Sequence, residues 1–308
     1  GTPYAAAMAG CSMVLPGPML DGASLVQLID QYQVTNALGV PTIWQGLLTA
    51  ARQSGSQLKS LQRNVVGGAA CPPSMVQAFK DEFQCETIHA WGMTETSPMG
   101  VVNQLKAKHL KLDESAQFEL RFAQGRPPFG VNIRISDDEK GRTELARDGQ
   151  TTGHLQIKGH WIVESYFNQF THAVTEDGWF DTGDMATIDQ DGYMVISDRS
   201  KDLIKSGGEW ISSVELENIA IAHPEIDMVA VIAATHLKWD ERPVLIAKKS
   251  ASSQVTEDTI LAFYTDKIAK WQIPDKVIFV DSIPVGGTGK VLKKDLREIY
   301  GSILLAVE

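Results

Sequence analysis

Residues 64–98 read NVVGGAACPPSMVQAFKDEFQCETIHAWGMTETSP, and this stretch decides the fold class. A short apolar run at 64–66 enters a Gly-Gly pair, a helical pattern covers 74–83, and a second run at 86–90 leads into Trp-Gly. Strands that alternate with helical patterns indicate βαβ units and a parallel sheet covered by helices. We therefore predict an α/β fold around this segment.

The same alternation extends toward the N-terminus. Helical spacing covers 25–33 and 42–53, and a strand of the buried type is predicted at 37–40 between them. The apolar run at 4–15 predicts a buried helix followed by a strand, because neither an initiator Met nor a basic stretch precedes it, as a signal peptide requires. The abrupt start of the chain reads as the middle of a domain, so we expect a fragment.

The sequence pattern changes twice further along the chain. From about Gly125, short alternating runs split by Gly and Asp predict a small β-rich subdomain with strands at 153–158, 186–189 and 192–197. After these, a compact α+β unit is predicted, with helices at 213–222, 256–268 and 292–300 and strands at 228–234 and 276–280. We place the two domains at 1–197 and 198–308, with a hinge at 198–201.

Composition excludes several classes of protein. The 308 residues carry a formal charge of -10, which argues against nucleic-acid or anionic-membrane partners, whose binding surfaces are basic. No stretch reaches the roughly 18 apolar residues of a membrane span. Cys11, Cys71 and Cys85 have no paired spacing, so neither a disulfide framework nor a zinc site is indicated, and a cytoplasmic location is predicted.

Two predicted strand ends carry residues suited to a nucleotide. The glycines at 67–68 would let the backbone approach a flat ligand, since no Cβ intervenes. Trp91 could stack on a base, Thr94 offers a hydroxyl to a phosphate, and Glu95 offers a hard oxygen to Mg²⁺. The alternatives are a tight turn, a core Trp and a helix-capping Thr-Glu pair.

Two later segments add polar and charged groups. In Gly178-Trp-Phe-Asp-Thr-Gly-Asp184, the last Asp could accept both hydroxyls of a ribose, although an ordinary Asp-Gly turn is the alternative. In the segment 197–217, the basic residues Arg199, Lys201 and Lys205 precede a Gly-Gly pair and a helix start. Such an arrangement can bind phosphorylated ligands through charge and exposed amides.

The last candidate is the glycine-rich segment 283–290, which reads IPVGGTGK. It is not a P-loop, because Val291 stands where that motif requires Ser or Thr. We interpret it as a loop that presents Lys290, whose charge could stabilise a transferring phosphoryl group. A solvated linker with a surface lysine is the alternative.

In this order and spacing, the five segments resemble the adenylate-forming superfamily of acyl-CoA synthetases, luciferases and peptide-synthetase adenylation domains. The resemblance runs from Gly1 to about Tyr300. Further segments, including DRSKD at 198–202 and KWDERP at 238–243, look like the branch of fatty acid and methylmercaptopropionate CoA ligases. The implied fold is part of the large α/β N-terminal domain, with its β subdomain, followed by a small, mobile α+β C-terminal domain.

The resemblance also implies roles for individual residues. The nucleotide would be lined by Gly68, Ala69, Ala70, Trp91 (in place of the family's usual Tyr), Gly92, Met93 and Ile196. The catalytic group would comprise Lys290, Thr94 at the phosphate and Glu95 at Mg²⁺. The ribose would be held by Asp184 and Arg199, the hinge would be Lys201, and the CoA pantetheine would pass Gly207 and Gly208. Trp210 stands where some relatives have Arg, so no role transfers to it.

The implied activity is ATP-dependent ligation of a fatty or thioether acid to CoA, with ATP, Mg²⁺ and CoA required and a homodimer compatible with the family. The family's upstream phosphate loop has no counterpart in this chain, so we expect the chain alone to be inactive. Two alternatives stay open, an adenylating enzyme with a non-CoA acceptor and a non-catalytic nucleotide-binding fragment. Candidate acyl-pocket residues are Val40, Trp44, Gly67, Met93 and Met99, with a core role favoured for Trp44.

Overall fold

The computed structural model forms two compact units, Gly1–Ile196 and Ser197–Glu308. It describes residues 2–169, 171–251, 253–287 and 289–306. No helix in these described ranges is long and apolar enough to cross a lipid bilayer.

The first unit contains a sheet of order β1-β2-β3-β4. Its strands are β1 (Asn36–Gly39), β2 (Arg63–Val66), β3 (Glu86–Trp91) and β4 (Val101–Val102). The first three strands are parallel, and β4 runs antiparallel to β3. The helices of this part are α1 (Thr2–Ala9), α2 (Gly22–Tyr32), α3 (Pro41–Ser54), α4 (Pro73–Phe83) and α5 (Glu114–Glu119).

The β-rich part of the first unit is a second four-stranded sheet of order β5-β6-β7-β8. Its strands are β5 (Val131–Ser136), β6 (Gly153–Gly159), β7 (Phe180–Ile188) and β8 (Met194–Arg199). Strands β5, β6 and β7 pair antiparallel, with an irregularity in register between His154 and Gln156. Alternating burial along β7 matches the alternating sequence pattern, as expected for a sheet with one face in the core.

The second unit is built on β11 (Ile226–His236) and β12 (Asp240–Lys249), a long antiparallel pair. The strand β13 (Lys276–Phe279) pairs parallel to β12, and the hairpin of β9 (Ile204–Ser206) and β10 (Glu209–Ile211) joins β12 at one residue pair. The helices are α6 (Ser213–Ile221), α7 (Glu257–Phe263) and α8 (Lys293–Tyr300). This α+β unit therefore has helices and a mixed sheet, as the sequence predicts.

Most predicted elements lie within a few residues of their predicted bounds, but three predictions are wrong. The run at 4–15 forms α1, yet none of its described residues is buried, and no strand follows it within the run. Apolar sequence favours burial only where a partner surface covers it. The helix predicted at 256–268 ends at Phe263, and turns follow at 264–267, where Asp266 has a left-handed φ of 63° that a continued helix could not include. The strand predicted at 186–189 is the end of β7, which begins six residues earlier.

The cysteines are free thiols, with Cys11 exposed. Burial raises the pKa of both Cys71 and Cys85 to about 12. The two buried thiols therefore stay protonated near neutral pH and pack as small apolar groups.

Close packing between α2 and α3 gives a matched pair of glycine substitutions. A Cβ on Gly22 would lie 2.1 Å from the carbonyl oxygen of Gly46, whereas the nearest atom to a Cβ on Gly46 would be the Gly22 nitrogen at 3.8 Å. We expect Gly22→Ala to lower the free energy of unfolding by about 1–3 kcal/mol through overpacking. We expect Gly46→Ala, inside a helix, to raise it by about 0.5–1 kcal/mol. Urea unfolding of both variants checks this, and equal effects would contradict the packing argument.

Candidate active site

The carboxyl ends of β2 and β3 bring two of the predicted segments side by side. The strands pair in parallel, with Val66 opposite His89, so the chain after Val66 and the chain after Trp91 leave the sheet at one edge. Gly68 has a φ of 83°, a conformation that favours glycine, and Gly68 and Ala69 are exposed. Ligands of open parallel sheets bind at this edge. The predicted adenine loop at 68–70 is therefore accessible.

His89 lies in β3 just before this edge, and the sequence gave no reason to select it. Its side chain is buried, and burial lowers the pKa of the imidazole to about 4, against the opposing effect of the Phe122 and Ala69 backbones. The ring is thus neutral near pH 7. It is therefore an uncharged, buried side chain next to the loop that contains Ala69.

Trp91 and Asp184 meet although 93 positions separate them in the chain. The indole Nε1 of Trp91 donates a hydrogen bond of 2.9 Å to Oδ2 of Asp184, which is only 4% exposed. Gly100 allows the Trp91 ring to lie close, because a Cβ there would be 2.3 Å from the ring. The predicted base-stacking residue and the predicted ribose carboxylate therefore form one unit.

The Trp91–Asp184 hydrogen bond can be tested by removing its donor. We expect Trp91→Phe to lower the free energy of unfolding by about 1.5–3 kcal/mol, since the hydrogen bond that is lost has a carboxylate as its acceptor. Trp161→Phe is the matched control, because Nε1 of Trp161 donates 3.0 Å to the neutral carbonyl of Met99 at an exposed position. Its cost should be about 0.5–1.5 kcal/mol. Chemical denaturation measures both, and equal losses would show that the hydrogen bond to Asp184 is no stronger than the one to the Met99 carbonyl.

Trp91, Met93 and Ile196 pack against the same buried cluster of the β-rich part. The amide of Ile196 donates a hydrogen bond of 2.7 Å to Oε1 of Gln124. Three of the residues predicted to line the nucleotide thus share one supporting core. The cluster itself is made of Val101, Val131, Ile133, Ile135, Leu155, Ile157, Phe180, Ala186, Ile188 and Met194.

The segment after Gly92 is a short 3₁₀ turn at Thr94–Thr96. The buried Thr96 hydroxyl donates 2.7 Å to the carbonyl of Pro98 and accepts 3.0 Å from the amide of Met93. Gly92 is required here, since a Cβ would overlap the Pro98 carbonyl oxygen at 1.6 Å. These constraints leave Thr94 exposed at the outer side of the turn.

Glu95 is held by a residue that the sequence gave no signal for. The phenol of Tyr166 donates a hydrogen bond of 3.0 Å to Oε1 of Glu95, and the amide of Val163 donates 2.8 Å to the Glu95 carbonyl. Burial and this carboxylate together raise the pKa of Tyr166. The phenol therefore stays protonated and keeps the Glu95 side chain oriented.

In the second unit, Arg199 and Lys201 lie at its start, and both side chains are exposed. The amides of Asp202 and Leu203 donate to the Arg199 carbonyl at 2.9 and 3.0 Å, so the predicted hinge segment contains the end of β8 and the start of the turn that follows it. Gly207 and Gly208 connect β9 to β10 with φ of 60° and 96°, as two-residue hairpin turns require. A Cβ on Gly207 would lie 2.8 Å from the Trp239 ring.

Lys290 ends a short loop in the second unit. Val285 and Val291 form an antiparallel bridge, the Gly286 amide donates 2.8 Å to the Lys290 carbonyl, and the Leu292 amide donates 2.9 Å to the Pro284 carbonyl. The loop is thus closed at its base and leads directly into α8. Thr288, within this glycine-rich segment, lies outside the described residues.

Comparison with known proteins places these residues in a known family. A family model described as AMP-binding enzyme matches residues 2–167, and one described as AMP-binding enzyme C-terminal domain matches residues 215–290. The chain belongs to the AMP-binding enzyme family. The prediction of the adenylate-forming superfamily, and of its α/β and C-terminal α+β parts, is confirmed.

Several relatives are similar to this chain over almost its whole length. It is 59% identical to a 3-methylmercaptopropionyl-CoA ligase of Ruegeria pomeroyi and 56% identical to a medium-chain-fatty-acid–CoA ligase of Ectopseudomonas oleovorans, each over 99% of this chain and 56% of the relative. The crystal structure of ATP-bound MatB from Rhodopseudomonas palustris matches with a TM-score of 0.83 and 28% identity, over 98% of this chain and 57% of that one. The chain thus spans a little over half the length of these relatives.

The predicted acyl-pocket residues have different surroundings. Trp44 is 3% exposed and meets Phe79 edge-on at 5.9 Å, so its favoured interpretation as a core residue is confirmed. Met99 is exposed, close to the turn at Thr94–Thr96.

A separate pocket of about 390 Å³ lies at the amino end of β3, away from the edge that carries the site. It is lined by residues that include Lys80, Glu86, Phe118 and Arg121.

Proposed function

We propose that the whole protein is an ATP-dependent acid–CoA ligase that forms an acyl-adenylate and then a thioester. The observation that supports this most strongly is the hydrogen bond between Trp91 and Asp184. A flat ring and a carboxylate, held 2.9 Å apart at the carboxyl ends of the strands, suit a base and its attached ribose. The exposed loop at 68–70 supplies the second side of the base site.

In this proposal the nucleotide contacts are made by the residues that the sequence resemblance selects. Gly68, Ala69 and Ala70 approach the adenine, Trp91 lies against it, and Asp184 accepts hydrogen bonds from the ribose with Arg199. The exposed hydroxyl of Thr94 donates to a phosphate oxygen. Gly92, Met93 and Ile196 complete the lining.

Glu95 is our candidate ligand for Mg²⁺. Among the described residues, no cluster of three or more His, Cys, Asp or Glu could hold a metal by itself. Mg²⁺ often takes only one or two carboxylates and completes its shell with substrate phosphates and water. One carboxylate oriented by Tyr166 fits that pattern, and the ion would neutralise phosphate charge.

The proposed reaction has two steps. A carboxylate oxygen of the acid attacks the α-phosphorus of ATP, the bond to the bridging oxygen breaks, and pyrophosphate leaves with the electron pair. The CoA thiolate then attacks the acyl carbon, and AMP leaves. Lys290 stabilises charge in the first step, and the hairpin turn at 207–208 lets pantetheine pass in the second. A bend of the chain at Lys201 would replace the Lys290 loop at the reacting group by the turn at 207–208. This is a hinge closure of known type.

We infer that the acid is a fatty or thioether acid, because the two relatives above are named for a methylmercaptopropionate and a medium-chain fatty acid. ATP, Mg²⁺ and CoA are the proposed requirements. A cytoplasmic location and a homodimer are also proposed. Cell fractionation tests the location, and light scattering tests the homodimer.

A pyrophosphate-release assay tests this function. The proteins are this chain and an extended protein, in which the upstream part of the Ruegeria pomeroyi relative precedes Gly1. The assay contains ATP, Mg²⁺ and acids from propionate to palmitate plus 3-methylmercaptopropionate, with and without CoA. We expect turnover and thioester only in the extended protein. Acyl-AMP without thioester would favour a non-CoA acceptor, and AMP binding without turnover would favour a nucleotide-binding fragment.

A further inference from the structure

The predicted hinge segment contains a buried carboxylate with a full set of partners. Asp198 is 1% exposed. Its Oδ1 accepts from the Arg199 amide at 2.7 Å, and its Oδ2 accepts from the amide and hydroxyl of Ser213 at 2.6 and 2.7 Å. Because a charge buried this deeply must be paired or hydrogen-bonded, these contacts fix the backbone next to Arg199.

Lys293, at the start of α8, supplies the positive charge. Its Nζ donates 2.7 Å to the Ser213 hydroxyl and lies 2.7 Å from Oε1 of Glu217. Burial acts to lower the pKa of Lys293, but the charges of Glu217 and Asp198 outweigh it and raise the pKa. The same Glu217 oxygen accepts 2.7 Å from the Val231 amide in β11, so the network is anchored in the central sheet.

A second contact lies one helical turn further along α8. Nη1 of Arg297 is 2.6 Å from Oδ1 of Asp202, and these side chains are 28% and 11% exposed. Residues four apart on a helix lie on one face. Arg297 therefore binds Asp202 directly, just after the hinge segment, and Lys293 is linked to Asp198, at its start, through the Ser213 hydroxyl.

The helix α8 also continues directly from the loop that carries Lys290. That loop is closed at its base by the Gly286–Lys290 and Pro284–Leu292 backbone hydrogen bonds. We propose that Lys293 and Arg297 are positioning residues, which fix the hinge segment and the Lys290 loop to one helix so that Arg199 and Lys290 act on the nucleotide as a unit. The nucleotide part of this inference rests on the proposed function.

Hydrogen exchange of this chain tests the mechanical coupling without any activity. The variants are Lys293→Met and Arg297→Met, and the matched control is Lys294→Met, whose side chain is 83% exposed. We expect faster exchange in peptides covering 197–203 and 284–292, and for Lys293→Met also around its partners Ser213 and Glu217, with partial recovery in Lys293→Arg and Arg297→Lys. Uniformly faster exchange that includes β11 and β12 would reduce both residues to general stabilisers. Unchanged exchange would also overturn the proposal. Should Lys293→Met not fold, Arg297→Met and Lys293→Arg decide the same question.

Kinetics of the extended protein give the second readout. We expect Arg297→Met to lower the adenylation kcat/KM for ATP by about 10- to 100-fold, the scale on which misplacement of a reacting group acts. Lys294→Met should stay at the unmodified level, and Arg297→Lys should recover part of the loss. Unaltered kinetics in Arg297→Met would overturn the positioning role. If the unmodified extended protein adenylates no acid, the proposed function fails, while hydrogen exchange still decides the coupling.

Discussion

Replacing Lys290 by alanine is expected to slow acyl-adenylate formation by the extended protein about 100- to 1,000-fold, the scale for removing one group that stabilises developing charge. The physical reason is that phosphoryl transfer depends on positioning and charge neutralisation rather than on an acid–base pair. The Lys290 loop is closed by backbone hydrogen bonds on either side, so the side chain can be shortened without removing a structural contact of the loop backbone.

Lys294→Ala is the matched control for this substitution, because Lys294 lies four residues further on and is 83% exposed. Pyrophosphate release at saturating acid measures the first step, and thioester formation from added acyl-AMP measures the second. We expect Lys290→Ala to lose the first and keep the second. Retention of full adenylation, or equal loss in both steps, would show that Lys290 does not act where the proposal places it.

The first unit shows how far local patterns carry a prediction. The βαβ alternation fixed the parallel strands β1, β2 and β3 to within a residue or two, because burial and turn chemistry are both local signals. The contact between Trp91 and Asp184 could not be derived in this way, since it joins two different sheets across 93 positions. Motif resemblance selected both residues, but only the folded chain gives their distance.

Tyr166, His89 and Thr96 were outside every predicted site. Tyr166 lies in a loop that contains no motif, and only the fold brings its hydroxyl within hydrogen-bond distance of Glu95. Thr96 lies inside the quoted motif, but the sequence does not tell which of two threonines faces outward. The structure buries Thr96 and exposes Thr94, because the Thr96 hydroxyl satisfies backbone groups at Met93 and Pro98.

Part of the buried network in the second unit can be seen in the spacing of its charged residues. The helix predicted at 292–300 has a basic sequence, yet the side chain of Lys293 is only 14% exposed. Its cations Lys293 and Arg297 are four positions apart, and so are Asp198 in the hinge segment and Asp202 just after it. Arg297 pairs directly with Asp202, whereas Lys293 is linked to Asp198 through the Ser213 hydroxyl, so the equal spacing predicts one of the two contacts.

Arg242→Met is expected to lower the free energy of unfolding of the second unit by about 1.5–3 kcal/mol, the range for hydrogen bonds that involve a charged group, because the paired Asp275 is exposed. Arg242 is 8% exposed. Its guanidinium donates to Oδ1 of Asp275 at 2.6 and 2.8 Å, to the Ser206 hydroxyl at 3.0 Å, and to the carbonyls of Trp271 and Ile273 at 2.6 and 3.0 Å. Methionine fills similar volume but leaves all four acceptor residues without this donor.

Because Ser206 directly precedes the turn at 207–208, the same substitution should also disturb the second half-reaction. We expect the KM for CoA to rise in the extended protein while adenylation by the folded fraction is retained. The stability and the KM for CoA of Arg242→Lys should lie between those of the unmodified protein and those of Arg242→Met, since an ammonium keeps the charge but cannot reproduce the planar fork. Lys294→Met is the control for a surface cation in the same unit. Urea unfolding measures the stability, with hydrogen exchange in β11 and β12 as the readout for the second unit. A loss of unfolding free energy no greater than that of the control would show that the Arg242 contacts contribute little.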